Sequence, residues 1–181
     1  MRLDEMRLEE HAGYLCKTMS RLMASLLQDR LKTLGIAPAQ FAVMLAIDQT
    51  GSPLQKDIVE ALDQEQATVA NTLARMERDG LVVRRPYEKD ARVQKVSLTS
   101  RAEEIWSEAL EKATELNELA LSGLTSEERE NFIVLMQKVI YTLRAVNGKP
   151  PQEWEERCGR SFSGCPEMIA PECVGEDLET A

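Results

Sequence analysis

Residues 80–99 read GLVVRRPYEKDARVQKVSLT. Two aliphatic runs of period-two character, residues 81–85 and 93–98, flank the polar stretch PYEKDA, which is the pattern of a β-hairpin. Between Arg84 and Lys95 the segment holds five cations, Arg84, Arg85, Lys89, Arg92 and Lys95, against Glu88 and Asp90, a local charge of +3. The whole chain carries a formal charge of −9 and has a pI near 4.8. A solvated surface hairpin is the plain reading of such a cluster. What flanks it decides whether that reading suffices.

Upstream, Asp63 is placed to cap a helix over about 64–79, with Gln66 in the position of a capping-box partner and Gly80 as its stop. Val69, Leu73 and Met76 form its inner face, and the opposite side offers Thr68, Asn71, Thr72 and Arg75. A shorter helix, LQKDIVEAL, precedes it over residues 54–62, so the pair has the lengths of a helix-turn-helix whose second helix enters a major groove. Asn suits adenine, Arg suits guanine or phosphate, and a Thr methyl can touch thymine. The cationic hairpin that follows lies where a wing would, its tip reaching the adjacent minor groove, whose negative potential favours an inserted Arg. The positive charge is then local because a polyanionic partner is touched locally.

Further out, leucines and methionines recur at three- and four-residue spacing from Leu3 to about Leu34, where Gly35 ends a first helix. Pro38 suits the first turn of a second, PAQFAVMLAIDQ, closed by Gly51. Thr99 or Ser100 caps a long helix to about Ser122. After Gly123, Thr125 and Glu128 make a T-x-x-E capping box for a last helix with Phe132, Leu135, Met136, Val139 and Leu143 on one stripe. Terminal helices too long for so small a winged domain to cover leave apolar stripes exposed, which marks an interface between copies of the chain. Folding back as core is the alternative. The fold class is mainly α with a small β-hairpin wing, in a domain over residues 1–146. From Asn147 the periodicity stops, and residues 147–181 carry three cations against eight anions in an acidic tail.

The run QATVANTLARMERDGLVVRRPYEKDARVQKVSLTSRA resembles the central segment of the MarR family of dimeric winged-helix regulators. The matching pieces are T-V-x-x-x-L-x-x-M-E-x-x-G-L-V, D-x-R in the wing and L-T at the next helix, and the helix order extends the likeness to roughly residues 5–146. The resemblance implies a homodimer with interlocked first and last helices, each protomer placing its fourth helix in a major groove of a pseudo-palindromic operator. It implies that Arg92 enters the minor groove and that Asp90 braces the wing by pairing with a nearby Arg. It also implies a small-molecule pocket between the dimer helices and the winged domain. Ala91 stands where many relatives have a second arginine, and Ala102 where a Gly is common.

The chain has four cysteines. Nothing in the sequence approaches a membrane-length apolar run or a signal peptide, so the expected compartment is the cytoplasm, where thiols stay reduced. Cys158, Cys165 and Cys173 are spaced C-x6-C-x7-C, unlike a zinc knuckle or a ferredoxin run. They are candidates for an iron–sulfur cluster or thiolate-bound metal, with Cys16 completing the set; a thiol redox switch and incidental thiols in an unstructured tail are the other readings. His11, the single histidine, reads as a surface or interface residue, and Trp106 and Trp154 as packing residues. No glycine-rich phosphate loop, paired nucleophile and base, or HExxH motif is present, so an enzyme is not expected. The function read from the sequence is a sequence-specific regulator binding double-stranded DNA, a repressor relieved by a small molecule, metal, iron–sulfur or redox signal. The alternative is a winged-helix module that docks a protein and carries a metal in its cysteine tail.

Overall fold

The computed structural model describes residues 7–88 and 90–148. In chain order these form α1 (Ala12–Leu31), α2 (Pro38–Thr50), α3 (Gln55–Leu62), α4 (Gln66–Arg78), β1 (Val82–Tyr87), β2 (Asp90–Leu98), α5 (Ser100–Ala120) and α6 (Ser126–Val146), with short 3-10 turns at Leu8–Glu10 and Lys32–Leu34. Among the described residues this is a mainly helical fold with an antiparallel hairpin, as the sequence predicts. Among the described residues, no single helix is long and apolar enough to cross a membrane. The chain separates into two compact units, Met1–Ser122 and Gly123–Ala181.

Local chemistry accounts for most boundaries of the first unit. The 3-10 turn after α1 ends at Gly35, which takes a left-handed conformation with φ 70°. Pro38 opens α2, where its missing N–H removes no hydrogen bond, and Gln40 Oε1 accepts from the Ala37 N–H at 2.8 Å. Asp57 does the same for α3, its Oδ2 accepting from the Leu54 N–H at 2.9 Å. The Thr99 hydroxyl caps α5 by accepting from the Ala102 N–H.

Three boundaries differ from the sequence reading. The first helix begins at Ala12 rather than near Leu3, after a 3-10 turn over Leu8–Glu10. Asp63 does not cap α4; it ends α3 in the left-handed region at φ 49°, a conformation Asp tolerates, and Glu65 holds the N-cap position of α4. The hairpin strands run on through Pro86 and Asp90, because β1 is an edge strand where proline's absent N–H is tolerated. Pairing follows one register from Val82↔Leu98 to Pro86↔Gln94, then slips to Tyr87↔Asp90, so a bulge on β2 absorbs residues 91–93.

The core of this unit lies where α2, α3 and α4 meet the base of the hairpin. Met44, Ile58, Val69, Leu73, Met76 and Val96 are all essentially inaccessible. Phe41 and Trp106 pack with ring centroids 5.4 Å apart, which confirms Trp106 as a packing residue joining α2 to α5. The segment before α3 also docks on β2: the Val96 N–H donates to the Pro53 carbonyl at 2.8 Å, and Leu54 bridges to Lys95. β2 is thereby paired on both edges, a contact absent from the sequence reading.

In the second unit, α6 opens with the expected capping box. The Glu128 N–H donates to Thr125 Oγ1 at 3.3 Å, and the Thr125 N–H donates back to Glu128 Oε2 at 2.8 Å. The Thr125 N–H, and after it the Thr125 hydroxyl donating to the same oxygen at 2.9 Å, hold the Glu128 carboxyl below the usual carboxylate range.

Candidate nucleic-acid interface

Burial of Val69, Leu73 and Met76 fixes the rotation of α4 about its own axis. That rotation turns Thr68, Asn71 and Arg75 fully outward and leaves Thr72 half-buried, its Oγ1 donating to the Thr68 carbonyl at 3.0 Å. The four side chains expected from the sequence therefore share one face of the helix, at offsets of three, four and seven residues.

The C-terminal end of α4 is held from several directions. The Leu81 N–H donates to the Met76 carbonyl at 2.8 Å and the Gly80 N–H to the Glu77 carbonyl at 3.1 Å, a Schellman closure with Gly80 at φ 69°. Leu81 and Met76, the residues that such a closure brings together, are both buried. From α5, Arg101 Nη1 donates to the Asp79 carbonyl at 3.0 Å and Thr99 Oγ1 to the Gly80 carbonyl at 2.7 Å. From α2, Gln40 Nε2 reaches Asp79 Oδ2 at 3.4 Å. These clasps were not foreseen from the sequence, because their partners lie 19 to 39 residues apart.

Strand alternation sorts the hairpin cations. Arg85 is exposed, whereas Arg84, on the other face of β1, is half-buried and turns back to α4. Its guanidinium engages Glu77 through both Nε and Nη2. That hydrogen bond is the main cause holding the Glu77 carboxyl below, and the Arg84 guanidinium above, their ordinary values. Arg85 and Lys95 stand opposite each other across the hairpin, and the Lys95 ammonium lies 5.6 Å from the centre of the Tyr87 ring. Arg92 is 90% exposed and is gripped by Asp90, whose Oδ1 accepts from the Arg92 N–H at 3.0 Å and from Nε at 3.1 Å. The side-chain bond to Arg92 is the larger cause that lowers the Asp90 carboxyl below its usual range. The structure thus pairs Asp90 with Arg92 itself. Lys89 lies outside the described residues.

The remaining candidates separate from this face. Cys16 is an exposed free thiol on α1, and Cys158, Cys165 and Cys173 lie outside the described residues, as does Trp154. Among the described residues no three His, Cys, Asp or Glu side chains gather to hold a metal ion. His11 is exposed at the N-cap of α1.

The order of helices and the hairpin recur in known proteins. The profile of the MarR family matches residues 34–93. The chain is 38% identical over 103 residues to the transcriptional regulator HosA of Escherichia coli O157:H7, an alignment spanning 57% of this chain and 76% of that protein. Among solved structures, it is similar to a probable transcriptional regulator from Pseudomonas aeruginosa (26% identity, TM-score 0.67), with 74% of this chain and 99% of that one covered. It is also similar to a cysteine-to-serine mutant of E. coli MarR in complex with operator DNA (25% identity, TM-score 0.66), with 70% and 91% covered. Sequence match and shared fold agree with the order of elements: this chain belongs to the MarR family of transcriptional regulators, and is a regulator rather than an enzyme.

Proposed function

We propose that this regulator is a sequence-specific, homodimeric repressor that binds a pseudo-palindromic operator in double-stranded DNA. The observation that carries the reading is the outward face of α4, with Thr68, Asn71 and Arg75 exposed, leading directly into a hairpin that presents Arg85 and Arg92. Thr68, Asn71, Thr72 and Arg75 read base edges and phosphates in the major groove, while Arg92, Arg85 and Lys89 serve the wing. Arg84 belongs to the same basic segment and reaches the DNA face through Glu77. The solved complex of the E. coli relative with operator DNA supports this assignment.

The dimer is supported by apolar stripes within each unit. On α1, Leu15, Met19, Leu22 and Leu26 are exposed at alternating four- and three-residue spacing. On α6, Leu135, Leu143 and Val146 are 60%, 62% and 64% exposed, beside Val139 and Ile140. Stripes of this length on two helices exceed what a lone soluble protomer leaves open. A second copy that covers them sets the two α4 helices about one DNA turn apart. An effector that changes that separation relieves repression. The thiols of the tail, as metal, cluster or redox ligands, are one input for such a signal, and a small organic molecule is the other.

The test is selection of duplexes from a randomised library by the purified full chain, followed by titration at several salt concentrations. Recovery of an inverted repeat with half-sites about one turn apart, bound by two protomers with a steep salt dependence, meets the proposal. Recovery of no preferred sequence, or binding indifferent to salt, overturns it.

A further inference from the structure

Periodicity and composition make the cations of the hairpin segment look alike, yet among the described residues the structure sets Arg84 and Arg92 in different surroundings. Arg92 is almost fully exposed, whereas the Arg84 side chain is only 28% exposed and its guanidinium is spent on Glu77. Glu77 sits on the last turn of α4, and Arg84 is the third residue of β1. Their ion pair therefore spans the Gly80 turn that joins the two DNA-facing elements, a junction where two backbone hydrogen bonds and the buried Leu81 already fix the path.

We propose that Arg84 is a positioning residue rather than a phosphate contact: it acts through Glu77 to set the angle at which the hairpin leaves α4, so that helix and wing reach their two grooves together. The inference rests on the reading above that α4 and the hairpin face DNA. An angular error at the turn is magnified along the strands, which extend at roughly 3.3 Å per residue, so a small change at Arg84 displaces Arg92 by much more. The pair also neutralises Glu77, whose carboxylate would otherwise face phosphate from the end of the recognition helix.

Simple electrostatics and the positioning role give opposite signs for one substitution. Removing a negative charge beside DNA, Glu77→Gln, strengthens binding if Glu77 only repels phosphate. If Glu77 anchors Arg84, the same change weakens binding. The experiment titrates the parent, Glu77→Gln, Arg84→Gln and the charge swap Glu77→Arg/Arg84→Glu against the tightest duplex selected by the parent, each at several salt concentrations. Circular dichroism confirms that each variant is folded. Arg75→Ala and Arg92→Ala are measured beside them. Expected are losses of up to about fivefold per half-site for both single Gln variants, the span of an exposed ion pair, with the salt slope unchanged. The swap returns to within about twofold of the parent, because the ion pair is restored with its polarity reversed.

Glu77→Gln binding as tightly as the parent or tighter overturns the proposal. So does a salt slope that falls by about one in Arg84→Gln, the signature of a lost phosphate contact. A swap that stays as weak as the single variants also overturns it. If instead Arg75→Ala and Arg92→Ala leave affinity untouched, the DNA-facing assignment of α4 and the wing has failed, and the positioning role fails with it.

Discussion

Arg85 of β1 and Lys95 of β2 stand directly opposite each other across the hairpin, two cations paired where a sheet ordinarily sets opposite charges or apolar groups. Like charges so placed destabilise a hairpin by a few tenths of a kcal/mol up to about 1 kcal/mol. A polyanion lying along the strands relieves that repulsion. Arg85→Thr is therefore expected to raise the thermal midpoint of the free protein while weakening DNA binding and lowering the salt slope by about one per protomer. Differential scanning calorimetry and salt-dependent titration read the two effects, and a variant that loses both stability and affinity contradicts the reading.

Arg92 takes two geometric instructions from Asp90, one through its backbone N–H and one through its guanidinium. Asp90→Ala frees the side chain without removing its charge. Affinity is expected to fall by less than in Arg92→Ala, with the salt slope retained in the first variant and reduced in the second. Equal slopes in the two variants would show that Arg92 does not touch phosphate.

Gly80 occupies the left-handed region at φ 69°, and an added Cβ would meet only the Arg101 guanidinium at 3.9 Å. Space is thus no obstacle, and the penalty of Gly80→Ala is conformational, about 1–2 kcal/mol. Denaturant unfolding should show that loss, with DNA affinity falling further than stability alone explains, since the turn aims the hairpin.

Thr125→Ala removes the hydroxyl cap of α6 and is expected to cost about 1 kcal/mol in the unit that carries that helix. Hydrogen exchange in the first turn of α6 reads the change locally. Protection unchanged in residues 126–129 would show that the capping box contributes nothing.

Glu77, Asp90 and Glu128 are each held below the usual carboxylate range, by Arg84, by Arg92 and by Thr125 respectively. Unfolding returns each to its ordinary affinity for protons, so the unfolded chain binds more protons than the folded one in mild acid. Their contribution is complete above the usual carboxylate range and is lost as pH falls through the lowered folded values. Stability should be flat near neutrality and decline in acid. The triple variant Glu77→Gln/Asp90→Asn/Glu128→Gln should show a shallower decline, measured by urea midpoints across that range.

The elements legible in the sequence are those whose causes are local. Gly35, Gly51 and Gly80 each end a segment because each adopts a positive φ that other residues resist. Pro38 starts α2, and Thr125 with Glu128 starts α6, through bonds that span three residues or fewer. The outward face of α4 was legible for the same reason: Val69, Leu73 and Met76 declare the buried side through helical periodicity, and Thr68, Asn71, Thr72 and Arg75 follow as the remainder.

Asp63 shows where that logic stops. By type it suits the start of α4 and the end of α3 equally, and it ends α3 because α4 begins only at Gln66. Periodicity and composition likewise made Arg84, Arg85 and Arg92 equivalent cations. Folding distinguishes them, because the register of β1 and the turn at Gly80 bring Arg84 to Glu77, place Arg85 opposite Lys95 and leave Arg92 outward in the grip of Asp90. The clasp of Arg101 and Thr99 on the end of α4 arises the same way, from residues brought together across intervening strands. Turn chemistry and helix faces depend on neighbours a few residues away, which any stretch of chain carries with it. Which charge meets which partner depends on distances set by packing the whole unit, and those exist only once the core has closed.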